Sequence, residues 1–273
     1  MNCLRRARPG LGTLVEIGVV GDGGAAQSAV EAAFAAIAYV ERLLSFHNPR
    51  SELSRLNATP GVEQSLSPLS ARVLGLALGL MRVSGGLFDC TVGGALVARG
   101  VLPDHAGPAA LARGRVDDVA MNDGRALLRR PVRITLDGIA KGYAVDHAVA
   151  ALRGHGAAAG WVNAGGDMRV FGAVSLPVAR RAHGGDLQSL GYLHQGAMAT
   201  STVTQQRDPR YPGHILAGSR GRRQCGTWTV LARHAWRADA LTKVAALADS
   251  SERVALIARL GGTLLDGKPS TAT

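Results

Sequence analysis

Residues 136–172, LDGIAKGYAVDHAVAALRGHGAAAGWVNAGGDMRVFG, set the tightest limit on what this chain can fold into. A run of small residues around Lys141 predicts a helix start. That helix carries Asp146 and stops near Gly154 and Gly156. A short strand and a Gly165-Gly166-Asp167 turn follow. A helix start free of bulky side chains is a natural seat for a phosphate, because its N–H groups and the helix dipole both favour negative charge. Lys141 adds a mobile positive charge. Asp137 and Asp146 disfavour a bare phosphate and fit better with a metal ion or with the hydrogen-bond donors of a nucleotide. Together these residues point to a metal-assisted nucleotide site.

Around this stretch the core must be built without many rings. The chain is 47% hydrophobic but only 4% aromatic, so Ala, Val, Leu and Gly carry the packing. Its 273 residues show no internal repeat and no strong linker, which predicts a single domain over residues 1–273. The formal charge is +11, yet the Arg residues are scattered with little aromatic interleaving, so nucleic acid is not the expected partner. Only three of the 31 basic residues are Lys (Lys141, Lys243, Lys268), which makes each retained ammonium informative. The three Cys are far apart in sequence, without metal spacing or an even count, which fits a reducing compartment. No leader-like apolar region precedes the first strand and no long uncharged apolar span occurs. The expectation is a cytoplasmic chain without a membrane span.

Along the chain, residues 11–20 read as a strand and 25–45 as a helix with apolar residues at helical spacing. Ser51 with Leu53 and Leu56 starts a short helical turn. Residues 67–83 form a second helix, with Pro68 in its first turn. Residues 119–134 read as a hairpin around Asn122-Asp123-Gly124. Residues 173–191 hold one or two strands about a Gly184-Gly185 turn, and 205–226 an exposed Arg-rich loop. A strand at 227–232, helical spacing over 238–260, and a short strand with a loose tail complete the chain. Interspersed helices and hairpin-linked strands give an α+β (mixed α/β) class, with antiparallel or mixed sheets flanked by helices.

GTLVEI, SFHNPRSELSRLN, GLFDCTVGGALV, LDGIAKGYAVD, VNAGGDMRVFG, ATS at 199–201, GHIL and ADALTK occur in one order. That order resembles the ApbE family of FAD:protein FMN transferases over nearly the whole chain. The resemblance implies transfer of the FMN half of FAD to a Ser or Thr hydroxyl of a partner flavoprotein, with AMP released and a divalent metal, usually Mg²⁺, assisting. It implies metal ligands at Asp239 and the Gly138 carbonyl, with Thr242 one helical turn from Asp239 adding an oxygen. It places Lys141 on FAD, at the phosphates. Leu11, His47, Leu87, Phe88, Asp89, Thr135 and Leu216 match positions lining the flavin or adenine sites. His214 matches a His needed for transfer and is the base candidate. Asp167 reads as a turn residue or a support more than a catalyst. Hydrolysis of FAD to FMN and AMP, and flavin binding without transfer, are the competing activities.

Two departures bear on this reading. After ADAL the family usually has a small residue and then a metal-binding Thr, where this chain has Lys243. Three readings stand: a lost or weakened metal site, a Lys243 that points away while Thr242 takes over, or an ammonium that supplies part of the ion's charge. After His214 the chain reads ILAGSRGRRQCG, without the family's usual Asp-Pro. Thr135 also sits where an acidic residue is common, with Asp137 two residues on.

Overall fold

The computed structural model describes residues 2–21, 23–105, 107–181, 186–204, 215–217 and 221–265. In chain order its strands are β1 (Cys3–Gly10), β2 (Thr13–Val20), β3 (Gln64–Ser65), β4 (Val119–Asn122), β5 (Arg125–Leu128), β6 (Gly160–Ala164), β7 (Asp167–Phe171), β8 (Leu176–Arg181), β9 (Leu187–Leu193), β10 (Gly196–Val203), β11 (Gly226–Ala232) and β12 (Gly262–Leu265). Its helices are α1 (Gly23–Leu44), α2 (Glu52–Ala58), α3 (Pro68–Val83), α4 (Gly93–Ala98), α5 (Ala140–Gly154), α6 (Ala235–Leu247) and α7 (Arg253–Arg259). The expected α+β class is what is found.

The main sheet is antiparallel, in the order β1-β2-β6-β7-β10-β11-β12. Strand alternation divides its side chains between two faces. Val15, Ile17, Val19, Val162 and Ala164 join the large core beneath α1, α5 and α6. Trp161, Met168, Val170 and Met198 form a second cluster with Val178 and Leu193 of the β8–β9 hairpin. A Cβ on Gly18 would lie 2.2 Å from the Trp161 ring, so only glycine lets that ring lie across β2. Trp161 also donates from Nε1 to Glu16.

Local chemistry explains the element ends. Ser51 and Ser67 cap α2 and α3, each accepting from the N–H three residues on, and Pro68 opens α3. Asp123 (φ 45°) and Gly124 (φ 74°) make the two-residue turn of the β4–β5 hairpin. The β1–β2 turn has the same form, with Leu11 at φ 54° and Gly12 at φ 70°. A leucine at positive φ costs about 1–2 kcal/mol, so its surroundings must hold it there.

Several expectations need correction. The N-terminal strand unit is a hairpin, because β1 precedes the strand expected at 11–20. The helical pattern over 238–260 belongs to two helices, α6 and α7, broken after Ala248. The region after GLFDC holds α4, and residues 129–134 continue past β5 without strand. The Gly184-Gly185 turn, most of the Arg-rich loop and the tail from 266 lie outside the described residues. Among the described residues no helix is long and apolar enough to cross a membrane.

Candidate active site

Two helices meet where the opening motif predicted chemistry. Ten of the 13 residues of α6 are buried, among them Asp239 and Thr242, so both polar side chains must find partners within the protein. They do. Asp239 Oδ2 accepts from the Gly142 N–H of α5 at 3.0 Å, and Asp239 Oδ1 is ion-paired with Lys243 Nζ. Thr242 Oγ1 donates to the Asp239 carbonyl at 2.7 Å and lies 2.7 Å from Ser201 Oγ on β10. Lys243 Nζ donates to the same Ser201 Oγ at 3.3 Å. The contact needs glycine at 142, because a Cβ there would sit 2.3 Å from the Ala235 carbonyl oxygen.

The segment before α5 is fixed independently. The Asn57 side chain accepts from the Ile134 N–H and donates to the Ile134 carbonyl, at 2.7 and 2.8 Å. Thr135 N–H donates to the Cys90 carbonyl at 2.8 Å, and buried Thr135 Oγ1 accepts from Asp137 N–H at 3.4 Å. Asp137 and Gly138 are thereby set at the mouth of α5. A Cβ on Gly138 would lie 3.3 Å from the Phe88 ring and 3.7 Å from Lys243 Cε, so the Lys243 stem runs past Gly138.

Three carboxylates and two ammonium groups share this space. Lys141 Nζ pairs with Asp167 Oδ2 at 2.9 Å, and Asp167 is almost fully buried. Burial, with the nearby Asp239 charge, pushes Asp167 up to about 6 against the pull of Lys141. Burial also raises Asp137, opposed by His47. The Asp167 charge, with Asp239 and Asp137 behind it, raises Lys141 and keeps it an ammonium. Two of the chain's three lysines therefore sit in one cluster, in a protein that otherwise uses Arg.

Two parts of the opening expectation change. The α5 start is not a free anion seat, since Ala140 N–H donates to the Leu136 carbonyl and Gly142 N–H to Asp239. Asp146 faces away from this chemistry. Its Oδ1 accepts from Ala235 N–H at 3.0 Å and pairs with Arg169, and its Oδ2 accepts from Trp236 N–H at 3.0 Å. It is the capping carboxylate of α6, and so holds the helix that carries Asp239.

The remaining expected positions are distributed around the cluster. His47 faces Asp137 electrostatically, and Phe88 packs beside Gly138. Leu11 lies in the β1–β2 turn. One residue into β2, Thr13 Oγ1 would meet a Cβ on Gly165 at 2.5 Å, which brings that turn beside the Gly165-Gly166-Asp167 turn. Leu87 and Leu216 pack against the main core, and Leu87 lies against Gly221 near the end of α6. Asp89 is spent on a local turn, accepting from Thr91 N–H and Oγ1 at 2.8 and 2.6 Å. His214 lies outside the described residues. Sequence reasoning missed Asn57, Gly142 and Ser201 as positioning residues. All three stand inside the motifs SFHNPRSELSRLN, LDGIAKGYAVD and ATS, but nothing in the residues alone gave them that role.

Mg²⁺ requires near-octahedral oxygen at about 2.0–2.1 Å. Both Asp239 oxygens already face donors, and the Thr242 hydroxyl is spent on the Asp239 carbonyl and Ser201. The Lys243 ammonium touches the one carboxylate the ion would need. An ammonium about 4 Å from a divalent ion opposes it by about 8 kcal/mol at an effective dielectric constant near 20. Among the described residues no group of three or more His, Cys, Asp and Glu side chains is arranged to hold a metal. These residues do not fit a divalent cation.

The ApbE family model matches residues 11–264, so this chain belongs to the ApbE family. No curated protein matches. Among solved structures, the ApbE protein from Thermotoga maritima is 24% identical, with 96% of this chain and 93% of that one covered and a TM-score of 0.81. A flavinyl transferase ApbE from Pseudomonas stutzeri, in its apo form, is 19% identical over 97% and 94% of the two chains, with a TM-score of 0.77. The flavin transferase ApbE from Vibrio cholerae is 20% identical over 97% and 96%, with a TM-score of 0.78. At these identities the likeness is one of fold.

Proposed function

We propose that this chain is a flavin transferase that moves the FMN half of FAD to a Ser or Thr hydroxyl of a partner flavoprotein and releases AMP. The observation that carries the reading is the Lys141–Asp167 and Lys243–Asp239 pairs converging at the α5–α6 contact, within a chain of the ApbE family. Two ammonium groups held by buried carboxylates suit a pyrophosphate, whose charge rises on the leaving oxygen as the P–O bond breaks.

In the proposed reaction the acceptor oxygen bonds to the FMN-side phosphorus. The bond from that phosphorus to the bridging oxygen breaks, and AMP leaves with the electron pair. The hydroxyl proton goes to a base, a role that the family resemblance gives to His214. Lys141 orients the pyrophosphate. The family resemblance gives the flavin and adenine surfaces to Phe88, His47, Leu11 and Leu216. Mg²⁺ belongs to the family expectation, but the donor set does not fit it. A single domain is supported by one core cluster drawing on residues from Val15 to Leu260. Three unpaired cysteines support a reducing compartment such as the cytoplasm.

The test is AMP release from FAD, with and without an acceptor protein carrying an Asp…Ser-Ala-Thr signature, for the natural chain and His214→Ala. AMP that appears with flavin on the acceptor, and falls about 100-fold or more in His214→Ala, supports transfer. AMP without a labelled acceptor means hydrolysis, and bound FAD without AMP means a binder; either would displace the transferase reading.

A further inference from the structure

The Lys243 ammonium touches two oxygens, Asp239 Oδ1 and Ser201 Oγ. Thr242 and Gly138, which the family resemblance names as metal ligands, lie close by. Asp239 Oδ1, one turn earlier on α6, is ion-paired with its ammonium. Ser201 Oγ of β10 accepts from it at 3.3 Å. Thr242 Oγ1 backs Ser201 at 2.7 Å. Gly138 lies beside its stem, so close that a Cβ there would come within 3.8 Å of two Lys243 carbons. The Asp239 side chain has no exposure to water and the Lys243 side chain only 22%, so the pair is an interior one. Removing its positive partner would leave an ionised carboxylate buried and uncompensated, which is strongly destabilising.

The charge count points the same way. Asp137, Asp167 and Asp239 bring three potential negative charges, and Lys141 neutralises Asp167. Without Lys243, Asp239 would need a cation from solution. With it, the counter-charge is covalently attached and is present at every ionic composition.

We propose that the Lys243 ammonium replaces a bound divalent cation in this chain, so that the site holds the pyrophosphate of its dinucleotide between two lysines and works without metal. The inference rests on the flavin reading for its ligand but not for the cation's identity. Lysine suits the role because its ammonium is compact and carries three donors, enough for Asp239, Ser201 and one phosphate oxygen.

The experiment uses the purified full chain, Lys243→Thr and Lys243→Met. Mn²⁺ binding is read by electron paramagnetic resonance, and FAD binding by flavin fluorescence in chelator or in Mg²⁺. The natural chain should leave Mn²⁺ free and bind FAD equally in both buffers. Lys243→Thr, which frees Asp239 Oδ1 and adds a hydroxyl, should bind Mn²⁺ at least about tenfold more tightly, and its FAD binding should become Mg²⁺-dependent. Should that variant not fold, Lys243→Met keeps the stem against Gly138 and carries the same metal test. Stoichiometric Mn²⁺ binding by the natural chain would overturn the proposal, as would folded variants that bind Mn²⁺ no better than it does. If no form binds FAD but the Mn²⁺ results are as expected, the flavin reading fails while the ammonium's place as the cation is supported.

Discussion

Replacing Asp146 with Ala should be among the most damaging single changes near the site, although Asp146 touches no chemistry. Its carboxylate accepts from two N–H groups at the start of α6 and pairs with Arg169, and both side chains are largely buried at 10% and 14% exposure. Losing a helix cap costs about 0.5–2 kcal/mol. Leaving a mostly buried Arg unpaired costs about 3–5 kcal/mol, somewhat less where water can reach it. The two terms share one carboxylate and do not add, so about 4 kcal/mol is expected in total. At about 2.1 cal/mol/K per residue, 273 residues unfold with about 0.6 kcal/mol/K of entropy, and Tm should fall by about 7 °C. Asp146→Asn keeps one acceptor oxygen and should cost roughly half as much. Glu63→Ala is the control. Its pair with Arg125 is exposed at both ends, and its loss should cost less than about 1 kcal/mol. Scanning calorimetry and urea unfolding at pH 7 read both. Equal losses for Asp146→Ala and Glu63→Ala would refute the argument that this carboxylate anchors α6.

Gly142→Ala should destabilise by about 3 kcal/mol and weaken FAD binding, because the Ala235 backbone cannot move 1 Å without moving α6. Gly75→Ala, in open space on α3, should be neutral or stabilising by up to about 1 kcal/mol, and the pair is compared by urea unfolding. Thiol titration of the native protein should count two fast cysteines, Cys3 and Cys225, with Cys90 reacting only on unfolding, since burial pushes its thiol up to about 12. Asp167 ionises near 6 when folded and near its ordinary value of about 4 when unfolded, so the folded state holds the extra proton between those limits. Its contribution to stability is therefore full below about pH 4 and is lost as pH rises through about 6. Asp167→Asn should flatten that part of the stability–pH profile, and an unchanged slope would count against the burial argument.

Features with local causes were legible in the sequence. Asn122-Asp123-Gly124 demanded a tight hairpin, and Ser67-Pro68 announced the start of α3. β1 was not legible, because an edge strand reading CLRRARPG buries almost nothing and shows no alternation. The boundary between α6 and α7 was hidden because apolar spacing resumes in phase after the break. At the site, Lys243 stood out as one of only three lysines and as a departure where the family has a metal-binding Thr, but its ion pair with Asp239 was not read. What it does there depends on Ser201 and Gly138, more than 40 residues away in sequence. Asp146 shows the converse error. A carboxylate on the motif helix looked chemical, and only the approach of α6, 89 residues on, reveals it as a cap.

The most direct test of the central claim is in-gel flavin fluorescence of an acceptor protein after incubation with this chain and FAD in the presence of a chelator, beside an acceptor whose target Ser or Thr is changed to Ala. A fluorescent band is expected on the intact acceptor, none on the altered one, and AMP in proportion to the label. Flavin that stays unattached in every lane while FAD is bound and intact would contradict it.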